Sequence, residues 1–281
     1  MSIINDLKSR YKKGNIVEKL IYINIVVFFS TYIFQLFQGS TNEINRLVEW
    51  FSLDNGFNSL LKKPWSIISY GFLHADFLHI LMNLLVLYYI GNLFLEYFTQ
   101  KQLLSFYILG TLFGGVLYIF SLNYFPLFEG ESSLLVGASA GISAIFMGIS
   151  TYIPNYQLKF RFIGYVKLWH LAAIWIGLDI IGLIGGNAGG HFAHLGGALF
   201  GFLYVSKASN KEIKLFDHLN ALFKKKKKSP LKTVHKSKQT KKTYTNLNQQ
   251  QIDEILDKIS KSGYDTLSKS EKEFLFKQGK K

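Results

Sequence analysis

Two short runs of small residues each enclose one reactive side chain. Gly137-Ala138-Ser139-Ala140-Gly141 holds a serine, and Ala193-His194-Leu195-Gly196-Gly197 holds a histidine. A neutral imidazole beside a serine hydroxyl accepts its proton and later returns one to a leaving amine, so together the two would support nucleophilic acyl transfer. Each run alone has a plainer reading, because small residues let membrane helices pack closely and a lone buried histidine is often satisfied by a carbonyl. His79 and Asn83 are four apart and share a helix face. Their ring N–H and amide N–H2 suit an oxyanion opposite Ser139, with ordinary interhelical hydrogen bonding as the alternative.

Three more ionisable groups accompany them: His74, His191 and Asp179. His74 with His79, or His191 with His194, would be the start of a metal site. There is no H-E-x-x-H helix and little carboxylate nearby, so no metal is expected. Asp179 either orients His194 as the third member of a triad or reaches external water from near the end of its helix, and its position near that end favours the second reading. The chain has no Cys, which excludes thiolate nucleophiles, disulfides and Cys-ligated metals.

The elements that must position these groups are apolar and long. Of 281 residues, 49% are hydrophobic and the mean hydropathy is +0.17, but the average hides a contrast between residues 20–206 and the lysine-rich 207–281. Candidate spans fall at 20–37, 77–98, 103–122, 134–153, 166–184 and 188–206, each near the length needed for a hydrocarbon core of about 30 Å. The expected fold is therefore an all-α, polytopic membrane protein with six spans. Counted from the outer ends of these spans, Ser139, Asn83 and His194 share a depth of roughly 7–9 Å at about 1.5 Å per residue, within reach of external water.

Orientation follows from the loops. Residues 124–133 carry Glu129 and Glu131 without Lys or Arg, whereas 154–165 carries Lys159 and Arg161, so both termini are placed in the cytoplasm. The first residues, 1–19, include Lys8, Arg10, Lys12, Lys13 and Lys19 and are followed by no small-residue cleavage site, so the first span reads as an uncleaved anchor. The external segment 38–76, with Trp50, Phe51 and Trp65, reads as an interfacial loop.

The net charge of +14 comes mostly from 207–281, which holds 20 Lys against 8 Asp or Glu. A basic segment just after a span is explained by topology and anionic lipid rather than by nucleic acid. Residues 207–247, with the run Lys224–Lys228, read as a flexible linker. Residues 248–281 read as a small helical hairpin: Ile252, Ile255, Leu256 and Ile259 recur at helical spacing, Gly263 suits a C-cap, and Ser268 with Glu271 makes a capping box. It is either a docking module for a cytoplasmic partner or an appendage that folds only against one.

The ordered set His74-Ala75-Asp76-Phe77-Leu78-His79-Ile80-Leu81-Met82-Asn83, then Gly137 to Gly141, then Ala193 to Gly197 resembles the signature of rhomboid intramembrane proteases across roughly residues 20–206. The resemblance implies a six-helix core with a water-filled cavity open to the extracytoplasmic side and no metal, ATP or other cofactor. It implies a Ser–His dyad, with Ser139 as nucleophile and His194 as base and then acid, and His79, Asn83 and the Ser139 N–H as the oxyanion hole. Substrates would be transmembrane proteins, cut in or near a span where the helix unwinds easily. Lys-, Asn- and Ile-rich usage points to a bacterial cytoplasmic membrane.

Three positions depart from the family pattern. Ala140 replaces the usual Gly after the nucleophile, Ser143 stands where a Tyr or Phe often packs on the catalytic histidine, and Ser66 follows Trp65 where many members have Arg. The rival readings are a rhomboid-like pseudoprotease that binds membrane clients without cutting them and, more distantly, a transporter. The first is opposed by the presence of both Ser139 and His194, the second by the lack of an internal repeat.

Overall fold

The structure is a computed structural model. It describes Asn5, Ser9 and residues 11–38, 45–128, 133–207 and 242–278. The Lys224–Lys228 run, Glu129, Glu131 and most of the expected linker lie outside the described residues. The chain forms two compact units, residues 1–224 and 225–281.

In the first unit six helices occupy the positions of the six apolar stretches: α1 (Ile16–Phe37), α5 (Phe77–Tyr97), α6 (Gln100–Tyr124), α7 (Ser139–Tyr152), α8 (Leu168–Gly182) and α9 (Ala188–Lys207). Helices α1, α5 and α6 are long and apolar enough to cross a membrane on their own. Their starts are set by local chemistry. Asn15 with Glu18 and Thr99 with Gln102 form capping boxes on α1 and α6, and Asp76 caps α5 by accepting from the His79 N–H at 2.8 Å. Large apolar side chains such as Phe29, Phe37, Ile174 and Ile181 stay exposed on α1 and α8. In water that would be costly, and in lipid it is the ordinary outer face of a span. The protein is an all-α polytopic membrane protein.

Helices α6, α7 and α9 meet at glycines. A Cβ on Gly197 would run into the Ala140 carbonyl oxygen, and one on Gly114 would lie 2.7 Å from the Ala140 Cβ. The backbones thus touch where the small-residue runs lie, and Gly114 supplies the room that Ala140 needs in place of Gly. Below this contact an aromatic group of Phe94, Phe98, Phe106 and Phe200 fills the core.

Two expected spans are shorter as helices. The stretch 134–153 is helical only from Ser139, because Leu134–Leu135 (β2) pairs antiparallel with Leu53–Asp54 (β1) of the outer loop and Gly137 takes φ +135°. A Cβ is poorly tolerated at that φ, so the glycine marks the break. Ser139 is accordingly the first residue of a helix, not the sixth. In the other case, 157–160 (β3) and 164–167 (β4) form a hairpin, so α8 starts at Leu168 instead of 166.

The outer loop holds short helices, α2 (Arg46–Phe51), α3 (Phe57–Lys62) and α4 (Ser66–Ser69), the last continued by a 3-10 turn at Tyr70–Phe72. Its anchorage does not need an arginine at 66. Trp65 donates from its indole N–H to the Trp50 carbonyl at 3.0 Å, Ser69 donates to the Phe51 carbonyl at 2.6 Å, and Asn123 of α6 donates to the Asn55 carbonyl at 2.8 Å.

The second unit contains α10 (Lys242–Ser262) and α11 (Lys269–Gln278), joined through Gly263 at φ +84° and a 3-10 turn. Helix α10 begins at 242, six residues before the expected hairpin start. Ser268 and Glu271 cap α11 reciprocally, and Lys258 pairs with Glu271 at 2.9 Å.

Candidate active site

Ser139 sits at the N-terminus of α7 and His194 one and a half turns into α9. Their separation in sequence is closed by the glycine contact of α7 with α9, and the His194 Nε2 lies 2.7 Å from the Ser139 Oγ. The chain runs extended through Leu134–Leu135, turns at Gly137 and Ala138, and starts α7 at Ser139. The first N–H groups of such a helix lack intrahelical acceptors and face the serine at the positive end of the helix dipole.

Asp179 is not a snorkelling side chain. It is 4% exposed, and its Oδ1 lies 2.8 Å from Nδ1 of His194 and 2.8 Å from Nδ1 of His191. The expectation that it reaches external water fails because α8 turns this residue toward α9, where two imidazoles await it. With the carboxylate as acceptor, both Nδ1 atoms are the donors, and the His194 Nε2 is then left to accept from the Ser139 hydroxyl. His191 stands three residues from His194 on one helix face, and that spacing was the available signal that a single carboxylate serves both.

His79 faces the same place from α5. A Cβ on Gly137 would lie 3.0 Å from its Nε2 and 3.3 Å from the Ser139 Oγ, so ring and hydroxyl border one small space. The Ala75 N–H donates to His79 Nδ1 at 3.4 Å, which leaves the ring proton on Nε2, directed at that space. Asn83 is placed differently. Its side-chain amide donates to the His79 carbonyl at 2.9 Å, and among the described residues it makes no hydrogen bond to Ser139 or His194. His74 packs edge-on against His79 with ring centroids 5.1 Å apart. Burial, with His79 beside it, pushes its pKa down to about 3.

The aromatic ring missing at 143 is supplied from another helix. Trp175 of α8 donates to the Ser143 Oγ at 3.1 Å and lies 6.5 Å, centroid to centroid, from His194. Trp175 was not singled out in the sequence, since nothing local links it to position 143. It also borders an apolar groove of about 540 Å³ between α5 and α8, with Val86 and Tyr89 on one wall and Ile174 and Leu178 on the other.

The glycine-knit bundle brings a serine and a histidine into a part-buried contact at a helix N-terminus. The family model described as Rhomboid domain matches residues 61–211, more than half of the chain, and the chain belongs to the rhomboid family. Residues 242–281 match a family of unknown function, DUF6576. Similar curated proteins include presenilin-associated rhomboid-like protein A, mitochondrial, of Danio rerio, 31% identical over 137 residues, which are 48% of this chain and 35% of that protein. RHOMBOID-like protein 12, mitochondrial, of Arabidopsis thaliana is 30% identical over 158 residues, 52% of this chain and 46% of that one. The Homo sapiens presenilin-associated rhomboid-like protein, mitochondrial, is 31% identical over 164 residues, 57% and 41% respectively. The chain spans less than half the length of these relatives.

Proposed function

We propose that this protein is an intramembrane serine endopeptidase that cleaves transmembrane proteins in or near their membrane segment. The observation that carries the reading is the 2.7 Å contact between the His194 Nε2 and the Ser139 Oγ at a helix N-terminus. Ser139 attacks the scissile carbonyl while His194 takes its proton and then gives it to the leaving amine. Asp179 accepts from His194 Nδ1, holds the ring in the tautomer that can act as base, and stabilises the imidazolium. The first N–H groups of α7 and the Nε2–H of His79 receive the oxyanion, and Asn83 supports His79 by donating its side-chain amide to the His79 carbonyl.

The substrate enters along the apolar groove between α5 and α8, which Trp175 links to His194. A peptide bond in an intact helix is shielded by its own hydrogen bonds, so cleavage favours spans that unwind easily. Residues 20–206 act as the protease domain, 1–19 as a cytoplasmic lead-in, 207–241 as a linker, and the C-terminal hairpin as a contact for a cytoplasmic partner. The lysine asymmetry of the loops supports cytoplasmic termini. We retain the bacterial cytoplasmic membrane as the compartment, to be checked by fractionation of the source cells against the mitochondrial location in the relatives' names.

The test is cleavage of a reconstituted single-span reporter by the full chain and by Ser139→Ala. Loss of cleavage in the variant supports the reading, and unchanged cleavage overturns it. A wild-type chain that binds reporters but cuts none would instead favour a client-binding rhomboid-like protein.

A further inference from the structure

The oxygen that serves His194 also serves His191, and the three groups make a set of their own. Asp179, His191 and His194 each offer one ligand atom, and these lie within 4.8 Å of one another, with both Nδ1 atoms 2.8 Å from the Asp179 Oδ1. Among the described residues Asp179 keeps its other oxygen, Oδ2, buried without a hydrogen-bond partner. The two imidazoles, by contrast, retain 26% and 22% of their side-chain surface, which gives a hydrated ion a way in. Gly182 of α8 fixes the second ring, because a Cβ there would run into His191. Two imidazole nitrogens and a carboxylate, with a position left for water, are the donor set of an open zinc site.

We propose that Asp179, His191 and His194 bind a borderline divalent cation, zinc foremost, and that the bound ion disables His194 as a base. The ion takes the point where two N–H hydrogens now converge on the Asp179 Oδ1. A neutral imidazole carries one N–H, so a metal on Nδ1 moves that ring's proton through solvent to Nε2. His194 then donates to the Ser139 Oγ instead of accepting from it. No net proton is released and no covalent bond to carbon changes. The ion is an inhibitor here and takes no part in peptide hydrolysis. Imidazole ligands select zinc, copper or nickel over magnesium and calcium, which prefer all-oxygen sites.

The inhibitory consequence rests on the proteolytic reading, but the site does not, and the experiment separates them. Zinc chloride alone is titrated by calorimetry into the full chain carrying Ser139→Ala, which keeps all three ligands. One ion per chain is expected, with a zinc-dependent rise in Tm that magnesium does not produce. Adding His191→Gln removes one ligand, and the affinity falls by more than the roughly ten- to hundredfold typical of losing even an outer partner. His191→Cys, which offers a thiolate, restores zinc binding and shows that the glutamine variant had not simply lost its fold. Equal zinc affinity with and without His191→Gln overturns the site. In the unmutated chain zinc stops reporter cleavage and a chelator restores it, and bound zinc with cleavage undiminished overturns the tautomer switch. A chain that never cleaves refutes the protease while calorimetry still decides the site.

Discussion

Asp179→Asn changes one atom and one charge while keeping the shape that packs against α9. In the native site the carboxylate oxygen lies 2.8 Å from His194 Nδ1, next to the imidazolium that would form in the proposed mechanism when Ser139 gives up its proton. With charge centres about 4 Å apart and an effective dielectric of about 20, the attraction is about 4 kcal/mol. Both imidazoles are partly exposed, which allows screening, and His191 shares the oxygen; about 2–4 kcal/mol is the working range. That stabilisation belongs to the transition state rather than to substrate binding, so kcat should fall by about 30- to 1,000-fold with KM little changed. The assay is initial-rate cleavage of a single-span reporter in proteoliposomes, alongside the Tm of each variant. A decrease of less than about threefold at unchanged Tm would refute the idea that Asp179 supports His194. Loss of rate together with a large fall in Tm would assign the carboxylate to folding instead.

Gly197→Ala places a methyl against the Ala140 carbonyl and forces α9 from α7; destabilisation of at least about 2 kcal/mol and loss of cleavage are expected, read by thermal unfolding and the reporter assay. His79→Ala should slow cleavage by about 100- to 1,000-fold, the usual cost of an oxyanion donor. Asn83→Ala should cost clearly less, because its amide is already committed to the His79 carbonyl, and equal losses would contradict this division. Since the pKa of His74 is pushed down to about 3 in the folded protein and lies near 6.5 in the unfolded chain, its contribution to stability is present above pH 6.5 and is lost as pH falls toward 3. Lowering the pH from 7.5 to 5 should cost about 2 kcal/mol through this residue, seen as a fall in Tm that His74→Phe abolishes.

The six helices were legible because an apolar stretch near bilayer length has few other uses, and Asn15, Asp76 and Thr99 mark their starts with ordinary caps. The start of α7 was not legible. Leu134-Leu135-Val136 is as apolar as the helix that follows, and what keeps it extended is pairing with Leu53–Asp54, some eighty residues earlier. Residues 154–165 read only as a charged loop, and the structure makes 157–160 and 164–167 a hairpin with Gly164 at φ +86°. Asp179 was misjudged because distance to a helix end says nothing about which neighbour the residue faces. The partnership of Trp175 with Ser143 joins two helices with no shared local pattern, so only packing reveals it.

Helix α7 has 14 residues, about 21 Å at 1.5 Å per residue, and so falls short of a hydrocarbon core of about 30 Å. The shortfall that starts this helix at Ser139 also bears on how the chain is made. An insertion machinery that judges segments one at a time has little reason to release this one into lipid. The extended stretch before it has its hydrogen bonds met by the outer loop, with Gly137 N–H donating to the Tyr70 carbonyl at 3.0 Å, and the helix itself is wrapped by α6 and α9. Helix α7 is therefore expected to settle only when α9, some fifty residues later, is available to pack against it. The proposed nucleophile and its proposed base would then be placed as partners, and a chain arrested between them would lack the packing that holds its fourth helix.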